Sequence, residues 1–289
     1  MIVVTGATGQ LGRLVIAALL KKMPASDIVA AVRNREKAGN IAASGVNVRL
    51  ADYNQPQAWN EALKGADKVL LISSSEVGQR ARQHRSVIDA ARRAGVKLLV
   101  YTSVLRADTS PLGLAAEHKE TEVLIHTSGI PYTFLRNGWY TENYTVGIPG
   151  MLAQGAVYGC AGYGRIASAA RVDYAEAAAH VLIAGNQAGR VYELAGDSAY
   201  TLAELAAEIS RQFGRNIGYV DLAEAEYRNL LVKAGLPNAI AALLADSETG
   251  VSKGALVDDS RQLSRLINRP TTPLAASVAE MMQAGQGRK

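Results

Sequence analysis

Three glycines, Gly6, Gly9 and Gly12, stand three residues apart directly after the apolar run Ile2-Val3-Val4-Thr5 and directly before a stretch of helical periodicity. A strand that runs through such glycines into a helix has few structural uses. The first glycine permits a tight turn, the second removes a side chain where a pyrophosphate approaches the backbone, and the third lets helix and strand pack closely. The helix start then offers unpaired N–H groups and the positive end of its dipole to phosphate. Ala7, Thr8, Gln10 and Leu11 belong to the same loop, so the whole of Gly6–Gly12 is expected to bind a dinucleotide.

The rest of the first half extends this pattern. Residues 10–22 carry Leu11, Leu14, Val15, Ala18 and Leu19 on one helical face. Strands are expected at 27–33, 46–52, 68–74, 96–103 and 131–138. Helices are expected at about 35–43, 55–65, 79–94 and 112–129. The run Lys68-Val-Leu-Leu-Ile72 is apolar without alternation, as in a strand covered on both faces. Strand–helix alternation at this spacing implies a parallel sheet with right-handed crossovers. From about residue 140 the pattern loosens into glycine-rich segments expected to be irregular loops, then a helix at 171–185, a strand at 190–196 and four more amphipathic helices. The fold class is therefore α/β: a Rossmann-type doubly wound sheet of about seven strands with a small, mostly helical C-terminal lobe. Residues 1–140 form the dinucleotide-binding domain. Residues 141–289 supply cleft segments and the lobe, with the unit at about 171–195 returning to the main domain.

Charge and cysteine content exclude other classes. A net charge of +5 suits a polyanion or a phosphorylated cofactor. The densest basic patches, Arg80-Arg82-Arg85 and Arg92-Arg93, have helical spacing and read as a solvated helix face, so no nucleic-acid partner is expected. Cys160 stands alone, which leaves no intrachain disulfide and no cysteine-based metal cluster, and no metal is expected. The start Met-Ile-Val-Val has no basic segment before a long apolar one, and no apolar run has the length of a membrane span. A cytoplasmic location is the expectation. The apolar C-terminal helices serve the core and are large enough for a homodimer face as well.

The ends of the next strands refine the cofactor. An acidic residue at the end of the second strand would grip the ribose hydroxyls of NAD. Here the chain reads Val32-Arg33-Asn34-Arg35, with Lys37 behind. The planar guanidinium of Arg33 suits a 2′-phosphate, so NADP(H) is expected. Asp52 and Tyr53 end the third strand. Asp52 either accepts from the adenine amino group or caps the following helix. Ser73, Ser74 and Ser75 end the fourth strand and offer small hydroxyl contacts.

The segments TGATGQLG, VRN, ADY, LLISSSEVGQR, YTSVLRADTSPLG, EHKETE, PYTFLRNGWYTENY and YELAGDSAYTL together resemble the NmrA-like branch of the short-chain dehydrogenase/reductases. Within it they are most similar to bacterial NAD(P)H:quinone oxidoreductases of the type-2 kind, and also to triphenylmethane-dye reductases. RNGWYTENY is the more specific piece. The resemblance implies that Asn137, Gly138, Trp139, Tyr140, Thr141, Glu142 and Arg171 bind the cofactor near its nicotinamide end, with Trp139 and Tyr140 also readable as core aromatics and Trp139 the more so. It also places Asn143 and Tyr144 beside the acceptor. One departure matters. The Tyr-x-x-x-Lys pair of ordinary members is missing, since Ala115 stands four residues before Lys119 and Leu105 four after Tyr101. The resemblance thus implies an acceptor that needs little acid help, such as a quinone, with Ser75, Asn143 and Tyr101 as catalytic candidates. His118 is a weaker one, and His84 reads as structural. A reductase of another acceptor such as a cationic dye, and an NADP(H)-sensing regulator without turnover, stay open. The missing tyrosine disfavours a nucleotide-sugar epimerase.

Overall fold

The computed structural model describes residues 1–286. The first half alternates as β1 (Ile2–Val4), α1 (Gln10–Leu20), β2 (Ile28–Val32), α2 (Gly39–Ala43), β3 (Asn47–Leu50), α3 (Ala58–Ala62), β4 (Lys68–Leu71), α4 (Arg80–Arg93), β5 (Leu98–Val104), α5 (Ala115–Thr127) and β6 (Tyr132–Asn137). There follow α6 (Glu142–Thr145), α7 (Ile148–Gln154), β7 (Ala156–Gly159), α8 (Arg171–Ile183), β8 (Arg190–Leu194), α9 (Leu202–Phe213), β9 (Gly218–Asp221), α10 (Glu224–Lys233), α11 (Asn238–Ser252), α12 (Gln262–Ile267) and α13 (Leu274–Gln286).

The seven-stranded sheet has the order β3-β2-β1-β4-β5-β6-β8, parallel at every pairing. The chain winds outward from β1 in one direction and, after β3, in the other from β4. The carboxyl ends of β1 and β4 therefore diverge at a switch point, where open α/β sheets bind ligands. Each sheet face is covered. Leu11, Val15 and Leu19 of α1 meet the alanine run Ala177–Ala179 of α8 on one side. Trp59, Leu63, Val87, Ala91 and Ile125 cover the other. Small residues on α8 let its backbone lie close to α1, and burial of both faces explains the unbroken apolar strands.

Several boundaries differ from the periodicity. The helix expected over 35–43 is a 3-10 turn (Glu36–Ala38) followed by α2. The one expected over 55–65 shrinks to five residues, with Gly65 beyond it in the left-handed region at φ 72°. The glycine-rich stretch after residue 140, expected to be irregular, contains α6, α7 and β7. β7 pairs in parallel with β9 as a second, two-stranded sheet in the lobe. A third core cluster joins lobe residues Val157, Leu202, Leu205, Ile209 and Val251 to Val104, Leu112 and Leu114 from the end of β5 and the loop beyond.

An ion network fixes the strand ends beneath the lobe. Arg136 of β6 forms a fork with Glu122 of α5 (Nε–Oε1 3.0 Å, Nη2–Oε2 2.7 Å). Its Nη1 reaches Glu193 of β8 at 2.9 Å and Asp108 at 3.1 Å. Ser103 donates to Glu122 Oε1 at 2.6 Å. Removing the cation leaves a buried carboxylate unpaired, which costs about 3–5 kcal/mol. Arg136→Met is expected to lower stability in urea denaturation by that order. Adding Glu122→Gln to it is expected to recover most of the loss.

Candidate cofactor and acceptor site

A cleft of about 300 Å³ lies at the switch point. The glycine turn forms one wall. Gly6 adopts φ +56°, a conformation that side chains disfavour. A β-carbon at Gly12 would stand 2.5 Å from the Gly6 carbonyl oxygen and 2.8 Å from the Ala7 Cα, both backbone. At Gly9 it would meet only the Gly6 oxygen, at 3.1 Å. The protein's own packing therefore constrains Gly12 more tightly than Gly9. No side chain caps α1 and its first turn has no acidic residue. Its leading N–H groups are left for an anion, which fits a pyrophosphate. Thr8, Gln10 and Leu11 line the cleft with the glycines. Ala7 does not: it is fully buried, and its N–H donates to the Ala31 oxygen at 3.3 Å.

Arg33 and Glu76 close the outer end. The Arg33 side chain is 69% exposed, and its Nη1 lies 3.4 Å from Glu76 Oε1. Gln83 steadies that carboxylate by donating to Oε2 at 2.8 Å. Asp52 lines the cleft but caps no helix. Its Oδ1 accepts from the Asn54 N–H at 2.9 Å, a local turn, and α3 starts later, after Gln57. Tyr53 does more than occupy the wall. Its hydroxyl donates to the Ile72 carbonyl at 2.7 Å and lies 2.7 Å from Thr5 Oγ1. The Ile72 N–H donates to Thr5 Oγ1 at 3.0 Å. Since the Tyr53 proton goes to the Ile72 carbonyl, Thr5 donates its own proton to Tyr53, and the ring closes. The Tyr53 ring stacks on Trp59, with centroids 5.3 Å apart.

The serine loop is clamped from below. Ser73 N–H donates to Thr102 Oγ1 at 2.9 Å, and Ser74 N–H to His84 Nε2 at 2.9 Å. An N–H can only donate, so Nε2 holds a lone pair and His84 carries its proton on Nδ1, facing Thr121 Oγ1 at 2.9 Å. Burial, aided by the Arg80 charge, pushes its pKa down to about 3, so the ring stays neutral. Arg80 corrects the sequence reading. It is buried rather than part of a solvated face, and its Nε donates to the Ser74 carbonyl at 2.6 Å. Glu117 accepts from Gly78 N–H at 2.9 Å and Arg80 N–H at 3.3 Å. Ser73, Ser74 and Ser75 all line the cleft, with Ser75 exposed.

Tyr101 is not a proton donor for this cleft. It is fully buried under the sheet, its hydroxyl 2.7 Å from His118 Nδ1, and burial pushes its pKa well above the phenol range. His118 is buried with it and its pKa falls to about 3, chiefly by desolvation.

The residues after β6, expected to bind the cofactor, have different partners within the protein. Asn137 is buried, its Nδ2 3.4 Å from the Tyr140 hydroxyl, and its Oδ1 has no hydrogen-bond partner among the described residues. Gly138 N–H donates to Leu194 O at 2.7 Å, where a β-carbon would crowd both that oxygen and Tyr174. Thr141 is buried in a hydroxyl chain through Ser168 (2.8 Å) to Tyr200 (2.7 Å). Glu142 accepts the Arg171 N–H at 2.9 Å and so caps α8. Thr141 and Glu142 thus serve packing and capping. Arg171 lies over the Tyr140 ring at 4.7 Å and donates to Asn143 Oδ1 at 2.7 Å. Trp139 is half-buried and packs against the edge of the third core cluster. With Asn143 and Tyr144 it lines a second cavity of about 360 Å³, under the lobe. Met151, Val157, Leu231 and Leu244 give that cavity apolar walls, and Tyr227 and Glu248 stand among them. Sequence periodicity marks these last two only as helix positions. Among the described residues no group of three or more His, Cys, Asp and Glu side chains is placed to hold a metal ion.

A family model described as NAD(P)H-binding matches residues 6–182. The chain is 58% identical to quinone oxidoreductase 2 of Escherichia coli over 97% of its own length and 98% of that protein. A crystal structure of an Escherichia coli NADPH-dependent quinone oxidoreductase complexed with NADPH is 57% identical, with a TM-score of 0.96 over 98% of this chain and 100% of that one. The Citrobacter triphenylmethane reductase complexed with NADP(H) is 41% identical, with a TM-score of 0.94 over 97% of this chain and 100% of that one.

Gly12→Ala tests the wall. The new methyl has only backbone to displace, so α1 must move off the turn. NADPH affinity is expected to fall more than about tenfold in fluorescence titration, the worth of a lost charge-assisted contact or more. The circular dichroism spectrum should remain that of a folded α/β protein.

Proposed function

The chain belongs to the NAD(P)H-binding family, and from that membership we propose an NADPH-dependent reductase that delivers hydride to a quinone. The observation that carries this reading is the pairing of two spaces. A cleft lined by the glycine turn, with Arg33 at its mouth, is accompanied by an apolar cavity whose walls include Trp139 and Asn143. The relatives named for NADPH-dependent quinone reduction support it over nearly the whole chain.

The roles follow from position. The N-terminus of α1 holds the pyrophosphate, and Arg33 takes the 2′-phosphate. Asp52 and Tyr53 flank the adenine, and Ser73 and Ser75 line the path inward. Asn137 offers its unpartnered Oδ1 to the nicotinamide carboxamide. When bound, the reduced nicotinamide supplies hydride. Trp139, Asn143 and the apolar walls orient a flat acceptor and keep water from the transfer. Hydride addition to a quinone produces an anion already spread over the ring, so a tyrosine–lysine pair at the nicotinamide is not required. The likeness to triphenylmethane reductase keeps a cationic dye as a second acceptor class.

The direct test is loss of NADPH absorbance with purified protein and benzoquinone, after subtraction of the uncatalysed reaction. Enzyme-dependent turnover is expected. NADPH binding without turnover across several acceptors overturns the reading in favour of a cofactor sensor. Cofactor choice has its own test. Arg33→Asp is expected to weaken NADPH by about tenfold to a hundredfold while leaving NADH within about threefold. Equal losses remove the 2′-phosphate from Arg33. Glu76→Gln, which frees Arg33 from its carboxylate, is expected to tighten NADPH and not NADH in low salt.

A further inference from the structure

Tyr227 of α10 and Glu248 of α11 meet in the wall of the lobe cavity, with Tyr227 Oη 3.2 Å from Glu248 Oε1. Glu248 is buried and wedged in place. Its Oε2 accepts the Cys160 N–H at 2.7 Å, and a β-carbon on Gly159 would stand 2.5 Å from the same oxygen. The groups that face it from neighbouring elements are Tyr227 of α10, the Cys160 thiol, Tyr219 and Asp221 of β9, and Tyr144 of α6. None of these is a cation. Burial pushes the Glu248 pKa up to about 7, opposed by the two hydrogen bonds and helped by the Asp221 charge.

Hydrogen-bond direction in this pair depends on one proton. The Cys160 N–H can only donate, which fixes Oε2 as an acceptor. While Glu248 is a carboxylate, the Tyr227 hydroxyl must donate to Oε1, and the cavity is offered only its lone pairs. When Oε1 is protonated it donates to Tyr227 Oη, and the phenolic proton is free to point into the cavity.

We propose that Tyr227 and Glu248 form the donor end of the acceptor cavity. The Tyr227 hydroxyl donates to a carbonyl oxygen of a flat acceptor and gives it a proton that Glu248 replaces. This rests on the reductase reading. The acceptor gains the hydride and becomes an oxyanion. The Tyr227 O–H bond breaks as the acceptor's O–H bond forms, and the Glu248 Oε1–H bond breaks as the Tyr227 O–H bond re-forms. Glu248 then takes a proton from water. The sum is one hydride and one proton added to the acceptor.

Glu248→Gln mimics the protonated acid closely. Its amide oxygen can accept from Cys160 while its NH₂ donates to Tyr227. The experiment measures binding of naphthoquinone in the presence of NADP⁺, where no hydride is available, by quenching of tryptophan emission. Trp139 lines the cavity and reports occupancy. For the wild type, affinity is expected to fall about fivefold to tenfold as pH rises from well below to well above 7, the worth of one hydrogen bond. Glu248→Gln should stay at the tight value throughout, and Tyr227→Phe at the weak value throughout. Circular dichroism and NADPH affinity report that both variants are folded. A wild-type slope retained in Glu248→Gln, or tight binding by Tyr227→Phe, overturns the proposal. So does naphthoquinone binding that ignores pH while a cationic dye binds more tightly at high pH, since that makes Glu248 a cation site. Benzoquinone turnover by the wild type separates the two readings. Turnover together with any of these results sinks the donor pair alone, and absence of turnover with every acceptor sinks both.

Discussion

Helix α1 approaches the turn after β1 more closely than a β-carbon allows, and the arrangement of the cleft depends on that contact. Because Gly12 has no side chain, the first turn of α1 lies directly against the Gly6–Ala7 backbone, with its leading N–H groups at the strand ends. A contact this tight must be held from behind. The holding element is α8, whose Ala177–Ala179 run lets it lie close along α1. The N-terminus of α8 is in turn capped by Glu142, just after the segment that leaves β6 for the lobe. The glycine turn and the segment that leads from β6 into the lobe are therefore joined through two packed helices. The Thr5–Tyr53–Ile72 ring adds a second brace, binding the ends of β1 and β4 to the residue that follows β3.

Much of the polar chemistry near the cleft is spent on shape. His84, Arg80 and Glu117 satisfy backbone groups of the 74–80 loop, and the buried N–H and carbonyl of Ser74 would otherwise lack partners. Tyr101 and His118 satisfy each other inside the core. His84 is neutral and hydrogen-bonded through both ring nitrogens, so it has no proton to give an acceptor. Its role is to keep the start of the Ser73–Glu76 segment in the position that gives the cleft its inner wall.

What was legible in the sequence divides along physical lines. The order of strands and helices followed from apolar runs and turn glycines, because both faces of a parallel sheet are buried and leave no ambiguity in the strands. The glycine loop, Arg33 and the serine strand end followed from their place at carboxyl ends of strands. The helical lobe followed as well, but its small sheet did not. β7 and β9 are four residues each, and their pairing spans some sixty residues of chain, which no local period records. Arg80 had the spacing of an exposed helix face, yet a loop carbonyl and Glu117 draw it inward. Asn137–Glu142 looked like one functional row, but an irregular segment has no period by which to sort residues facing the cleft from those capping α8. Tyr227 and Glu248 come from different helices and meet only through tertiary packing.

The absent Tyr-x-x-x-Lys pair gains a physical meaning from where the remaining donors stand. In a ketone the hydride goes to carbon and the proton to the oxygen bonded to it, so an acid must stand beside the nicotinamide. In a quinone the two oxygens lie on opposite sides of a conjugated ring. Charge delivered at one side is shared with the other, and the proton can be supplied at the far oxygen. A sheet edge that binds the cofactor and a separate lobe that carries a tyrosine and a protonatable carboxyl suit that second geometry. Burial around Glu248 raises its pKa to about 7 without any lysine, because burial disfavours its charge. On this view the lobe replaces the lost pair by moving the acid across the acceptor, and the replacement works only for acceptors whose ring conducts charge between two oxygens.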